Sequence, residues 1–225
     1  MSSQQYEQLN VGEIAEQLDE APIVYLPIGS LEYHGLHLPV GFDAIHAHRL
    51  CLAAAERSGG VVLPPTYWGT CGHEGFPGSL LLSKQAIASL ISDILAELSD
   101  RGYKVIVLVT GHYPGKQGEL LSQVAKDHLE ANPEVRIIIP NVFEEHPVYP
   151  EVPCQHAGKR ETSLGLHLFP ELVQMEGLDK PGGQEAISSG AEQATAQWGE
   201  ELFETAAQFV AELVTDALEQ TSNCQ

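Results

Sequence analysis

The run "KVIVLVTGH" constrains the fold more than any other stretch of the chain. From Val105 to Val109 it is apolar at every position and largely β-branched, with no polar residue at alternate places. A strand of that composition must be covered on both faces, which is the situation inside a parallel sheet. "APIVYLPIGS", "VVLPPTYWG" and "VRIIIPNV" have the same character. Between these runs lie segments with helical spacing. One is expected from about Asp43 to Ser58, closed by Gly59 and Gly60. A second carries Ile87, Leu90, Ile91, Ile94, Leu95 and Leu98 on one face, with Ser83 as N-cap and Gly102 at its end. "GELLSQVAKDHLEAN" and segments starting near Glu161 and Glu200 read as further helices. The last bears Leu202, Ala206, Phe209, Val210, Leu213 and Val214 on one stripe. Strands alternating with helices predict an α/β fold with a mostly parallel central sheet and helices on both faces. No repeat or linker divides residues 1–225, so a single domain is expected.

Charge narrows the function. The 31 acidic residues outweigh the 11 basic ones, giving a formal net charge of −20. Such a surface repels a phosphate backbone, so no nucleic-acid partner is expected. No apolar run is long enough to span a bilayer, and the polar N-terminus shows no signal peptide. Cys51, Cys71, Cys154 and Cys224 are scattered without a CxxC pair, which fits reduced thiols in a cytoplasmic protein.

Chemistry collects where the strands end. "IGSLEYHGLHLPVGFDAIHAH" places Glu32, His34, His37, Asp43, His46 and His48 just past the first strand. Ligands in open parallel sheets gather at the carboxyl ends of the strands. Glu32 and His34 are two apart, so an extended backbone puts both on one face. Asp43 opens the next helix, where it can cap the helix or bind a cation. His112 follows the "VIVLVTG" strand. His73 and Glu74 lie in the Gly-rich segment "TCGHEGFPGS", and His156 and Glu161 lie in "CQHAGKRETS". Mixed imidazole and carboxylate suits Zn²⁺, Mn²⁺ or Fe²⁺, and a carboxylate such as Asp43 can bridge two such ions. His37 reads as a support for Glu32 or a neighbouring imidazole, His46 and His48 as structural or solvent-facing. Gly111 and Gly72 offer backbone N–H groups for an oxyanion.

These residues carry a resemblance. "PIGSLEYHGLHLPVGFD" resembles the creatininase (creatinine amidohydrolase) family signature, roughly PxGSxEQHGPHLPxxTD. "PPTYWGTCGHEGFPGSLLLS", "VLVTGHYPG" and "HAGKRETS" are similar to its later blocks and follow in family order from Pro27 to Ser163. The resemblance implies a creatininase-like three-layer αβα fold and a hydrolase of C–N bonds in amides, cyclic amides or formamides. It implies a metal-activated water and two divalent ions per subunit. It further implies a small-molecule amide substrate and a homo-oligomer, often a hexamer. Carried over by position, Glu32, His34, Asp43, His112 and Glu161 are the metal ligands, with Asp43 bridging. His156 matches the proton-transferring histidine, and Glu161 joins it as a catalytic carboxylate. Relatives also include peptidase-like maturation factors, and a non-catalytic metal-binding member is the other alternative.

The departures bear on substrate. Creatininase has a glutamate ligand where this chain has Pro114, so either Glu161 takes that role or the second site is lost. Thr110, Tyr113 and Phe42 replace the usual residues. Only Trp68 and Trp198 exist, and neither lies between His112 and His156, which argues against creatinine itself.

Overall fold

In a computed structural model of the protein, residues 4–112, 115–142 and 155–222 are described. Tyr113, Pro114, His146, Cys154 and Cys224 lie outside them. The elements run α1 (Val11–Glu20), β1 (Ile23–Ile28), α2 (Phe42–Ser58), β2 (Val61–Val62), α3 (Lys84–Asp100), β3 (Val105–Thr110), α4 (Gly115–Ala131), β4 (Arg136–Ile138), α5 (Lys159–Leu168) and α6 (Ala196–Ser222). The four strands lie in the order β2-β1-β3-β4 and all pair in parallel. The expected α/β, three-layer αβα arrangement is what the structure shows.

Strand periodicity builds the three layers. Ile23 and Tyr25 of β1, with Val105, Val107 and Val109 of β3, pack against α2, α5 and α6. Their alternates Val24, Leu26, Ile28, Ile106 and Leu108 face α3 and α4. Both faces of these strands are therefore buried, as their composition requires. β1 and β3 run side by side from Ile23↔Val105 to Ile28↔Thr110. Both strands thus stop at the same height, and the loops leaving them meet.

Local signals explain most helix ends. Ser83 Oγ accepts the Ala86 N–H at 3.2 Å and starts α3. Ile87, Ile91, Leu95 and Leu98 form its buried stripe, while Leu90 of the expected stripe turns outward. The helix α1 is not among the expected helices, although Val11, Ile14 and Leu18 recur at helical spacing. It starts on a reciprocal capping box between Asn10 and Glu13. β2 is shorter than expected, because only Leu63 separates it from Pro64 and Pro65.

Acidic residues dominate the outer face of α6, where Glu200, Glu201, Glu204, Glu212, Asp216 and Glu219 are all exposed. Their mutual repulsion opposes compaction and is screened by salt. We therefore expect Tm to rise by several degrees, on the order of 5 °C, between low salt and about 0.5 M NaCl. A scanning-fluorimetry series in NaCl checks this. A flat or falling Tm contradicts it.

Candidate metal centre

The loop after β1 folds back on itself. The Glu32 N–H donates to Val40 O at 2.9 Å, and Gly35 turns the chain at φ +72. The chain then enters α2 with Gly41 at the cap position, so Asp43 sits inside the first turn. Asp43 is therefore not the N-cap, and its carboxylate faces the protein interior at 1% exposure. β3 ends at Thr110, and the next residues carry His112 to the same spot. The fit is close. A Cβ at Gly111 would collide with the Asp43 carbonyl oxygen, and one at Gly29 with the Ala44 backbone. Gly111→Ala should cost roughly 3 kcal/mol or more, because two backbones must separate. Urea denaturation measures this, and a loss under about 1 kcal/mol contradicts the packing argument.

Five of the six expected site residues meet here directly. His34 Nε2 lies 3.1 Å from Asp43 Oδ1 and 3.7 Å from Glu161 Oε2. His112 Nδ1 lies 3.0 Å from Asp43 Oδ2 and 2.9 Å from Glu32 Oε2. Asp43 thus divides its two oxygens between two histidines. His156, the sixth, places a ring nitrogen within 4.8 Å of ligand atoms of Glu32 and His34. Its ring packs on His34 with centroids 4.5 Å apart.

Backbone groups set the tautomers. His34 Nδ1 donates to Glu32 O at 3.1 Å, and His112 Nε2 donates to Cys71 O at 3.0 Å. Each leaves its other nitrogen aimed at Asp43. His156 Nε2 donates to Tyr33 O at 2.7 Å, which bares Nδ1. The Ala157 N–H donates to Glu161 Oε2 at 2.5 Å. Cys71 (φ 57) and Ala157 (φ 47) both hold left-handed backbone without being glycine. Each presents a main-chain group to the site, which is where such strain tends to collect.

The electrostatics is that of a cation site. Burial opposes charge on His112, but its hydrogen bonds to the Asp43 and Glu32 carboxylates raise it to about 11. His34 is likewise raised to about 9 against its burial, chiefly by Asp43. Burial would raise Asp43, yet His34 and His112 hold it well below the usual carboxylate range. Burial lifts Glu161 to about 7, with the Asp43 charge adding to the effect. Burial and the neighbouring His34 depress His156 to about 4.

A divalent ion fits this donor set. His34 Nε2 is buried and makes no hydrogen bond even though Asp43 Oδ1 is near. Either a proton or a metal ion would satisfy that nitrogen, and a divalent ion would take the proton's place between it and the carboxylate oxygens. Glu32, Asp43 and His112 offer one such group, and Glu32, His34 and His156 offer another.

Other expectations change. The Gly111 N–H donates to Ile28 O at 2.8 Å and extends the sheet, so it is not free for an oxyanion. His37 supports neither Glu32 nor a ring; its Nε2 bonds Thr162 Oγ1 at 2.9 Å on α5. His46 is buried and stacks on Phe42, which itself packs on His34. His73 reaches the site, and Glu74 is exposed. Thr110 Oγ1 donates to His112 O at 2.8 Å and steadies that turn.

A family model for creatininase, described as creatinine amidohydrolase, matches residues 7–214. The chain belongs to the creatininase family. Among curated creatininase-family relatives, a creatinine amidohydrolase of Pseudomonas putida is 28% identical over 176 residues, 68% of this chain and 67% of that protein. A mycofactocin precursor peptide peptidase of Mycolicibacterium smegmatis is 31% identical over 166 residues, 70% of this chain and 62% of that one. A 3-dehydro-scyllo-inosose hydrolase of Thermotoga maritima is 27% identical over 184 residues, 76% and 58% of the two chains. The alignments thus span between 58% and 67% of these relatives' lengths. A crystal structure of creatininase superposes with TM-score 0.85 at 24% identity, covering 97% of this chain and 99% of its own. A creatininase variant of Zn-Zn type gives 0.84 at 23% identity, with 97% and 99% covered. Among the described residues, no helix is long and apolar enough to cross a membrane.

Proposed function

We propose that the chain is a divalent-metal-dependent hydrolase of C–N bonds in amides, cyclic amides or formamides. The observation that carries this is Asp43, whose two oxygens each face a different histidine, as two subsites would require. Glu32 and His112 would complete one subsite, and His34 and Glu161 the other. Zn²⁺, Mn²⁺ or Fe²⁺ suits these donors. When bound, such ions polarise a carbonyl and make a water acidic enough to act as nucleophile near neutral pH.

The chain's own residues supply the rest. His156 is held neutral with Nδ1 bare, so it can accept the proton of the attacking water and return it to the leaving nitrogen. The Tyr33 carbonyl fixes its ring throughout. Glu161, locked by the Ala157 N–H, takes the ligand role that Pro114 cannot fill. Trp68 is exposed and Trp198 lies under Lys159, which supports a substrate other than creatinine. The proposed protein works as one domain over 1–225, as a cytoplasmic homo-oligomer, possibly a hexamer.

Elemental analysis of protein purified without added metal, followed by a screen over lactams, formamides and small peptides with Mn²⁺, Zn²⁺ and Fe²⁺, tests the reading. Two metal equivalents and chelator-sensitive amide hydrolysis are expected. Absence of bound metal overturns it. The mycofactocin peptidase relative favours one second reading, a peptidase-like maturation factor. Cleavage of peptides alone would select it. Bound metal without turnover would select a non-catalytic family member.

A further inference from the structure

His73 was singled out by its place in the Gly-rich segment after β2, and neither proton transfer nor direct ligation uses it. Its ring Nδ1 lies 2.7 Å from Glu32 Oε1, and its backbone N–H donates to the same oxygen at 3.0 Å. Glu32 Oε2 is left to face His112 at 2.9 Å. Gly72 makes this approach possible. Its φ is +119, and a Cβ there would collide with Glu32 and lie 3.0 Å from the His112 ring. The His73 ring also lies flat on His156, with centroids 4.0 Å apart and planes at 25°. His73 retains 25% side-chain exposure against 3% for Glu32. It therefore stands between the buried carboxylate and solvent.

We propose that His73 is the positioning residue of the Glu32 subsite. It occupies Glu32 Oε1 so that Oε2 alone enters the metal centre, as outer hydrogen bonds orient ligands elsewhere. This rests on the metal-hydrolase reading above. The Nδ1–H bond does the positioning, and the stack on His156 is separable from it.

Two variants in the full chain divide these features. His73→Phe keeps a flat ring for the stack and removes the donor. His73→Asn removes the ring and keeps an N–H donor near Nδ1. Zn²⁺ alone is titrated against a chromophoric chelator, with circular dichroism confirming the fold. In His73→Phe one of the two Zn²⁺ equivalents should weaken by about 10–100-fold, while the other stays within about threefold. His73→Asn should hold both equivalents within about threefold of the unsubstituted protein. Unchanged binding in both variants overturns the assignment, and so does an equal loss in both. An unsubstituted chain that binds no Zn²⁺ overturns the metal reading itself, which is a distinct result.

Discussion

Asp43→Ala should strip both metal equivalents at once. Each proposed subsite would draw one oxygen from this single carboxylate, so its removal would leave neither with a bridging anion. Loss of an outer partner alone costs about 10–100-fold in metal affinity, and loss of a shared ligand should exceed that. Amide hydrolysis should fall by at least about a thousandfold, the scale on which single electrostatic elements of active sites act. The fold also suffers. Without metal, His34 and His112 would lose their shared counter-charge and keep only Glu161 and Glu32, so the cost should fall below the roughly 3–5 kcal/mol of a fully broken buried pair. Asp43→Asn keeps the shape and separates the two effects. Elemental analysis after desalting, with kcat measured at saturating metal, reads the result. Retention of two equivalents by Asp43→Ala would remove the bridging role altogether.

Metal affinity should depend steeply on pH. Without metal, His34 holds its proton up to about pH 9 and His112 up to about pH 11. The backbone bonds at His34 Nδ1 and His112 Nε2 place those labile protons on the nitrogens that would ligate. Binding near pH 7 must displace both, so about two protons leave per protein. Affinity then climbs by up to about a hundredfold per pH unit from pH 7 to 9. Chelator competition across that range measures the slope, and calorimetry in buffers of different ionisation enthalpy counts the protons. A flat profile would contradict the site. The metal-free protein should behave oppositely. Both histidines are raised on folding, so their stabilisation is complete below pH 6.5 and lost as pH rises through about 9 and 11. Glu161, raised to about 7 by burial, loses its share lower, between the ordinary glutamate range and about pH 7, and so lies outside that window. Thermal scans of metal-free protein from pH 7 upward should show a falling Tm that added metal reverses.

How much of this was readable beforehand depended on the range of the interaction. β1 and β3 were legible because burial on both faces imposes its composition on the chain itself. The Ser83 cap and the Gly59 stop of α2 are local chemistry and were equally visible. The short α1 helix was legible too, in Val11, Ile14 and Leu18 at helical spacing and in Asn10 and Glu13 three residues apart, but ten residues with only three apolar anchors make a faint signal. The meeting of Glu32, His34, Asp43, His112, His156 and Glu161 followed from the family blocks together with strand-end topology. The function of His73 did not. Its bond to Glu32 spans 41 positions and depends on how a Gly-rich loop folds back. The fate of the Gly111 N–H was hidden for a related reason, since a ladder's exact last rung is a property of both strands.

The ligand atoms come to solvent almost nowhere. Glu32 is 3% exposed, and His34, Asp43 and His112 are each 1% exposed. Among the described residues, an ion seated there would meet solvent chiefly past the half-buried rings of His73 and His156. Residence time would then follow how often those stacked rings part, and a scavenger in the medium would work fastest when they do.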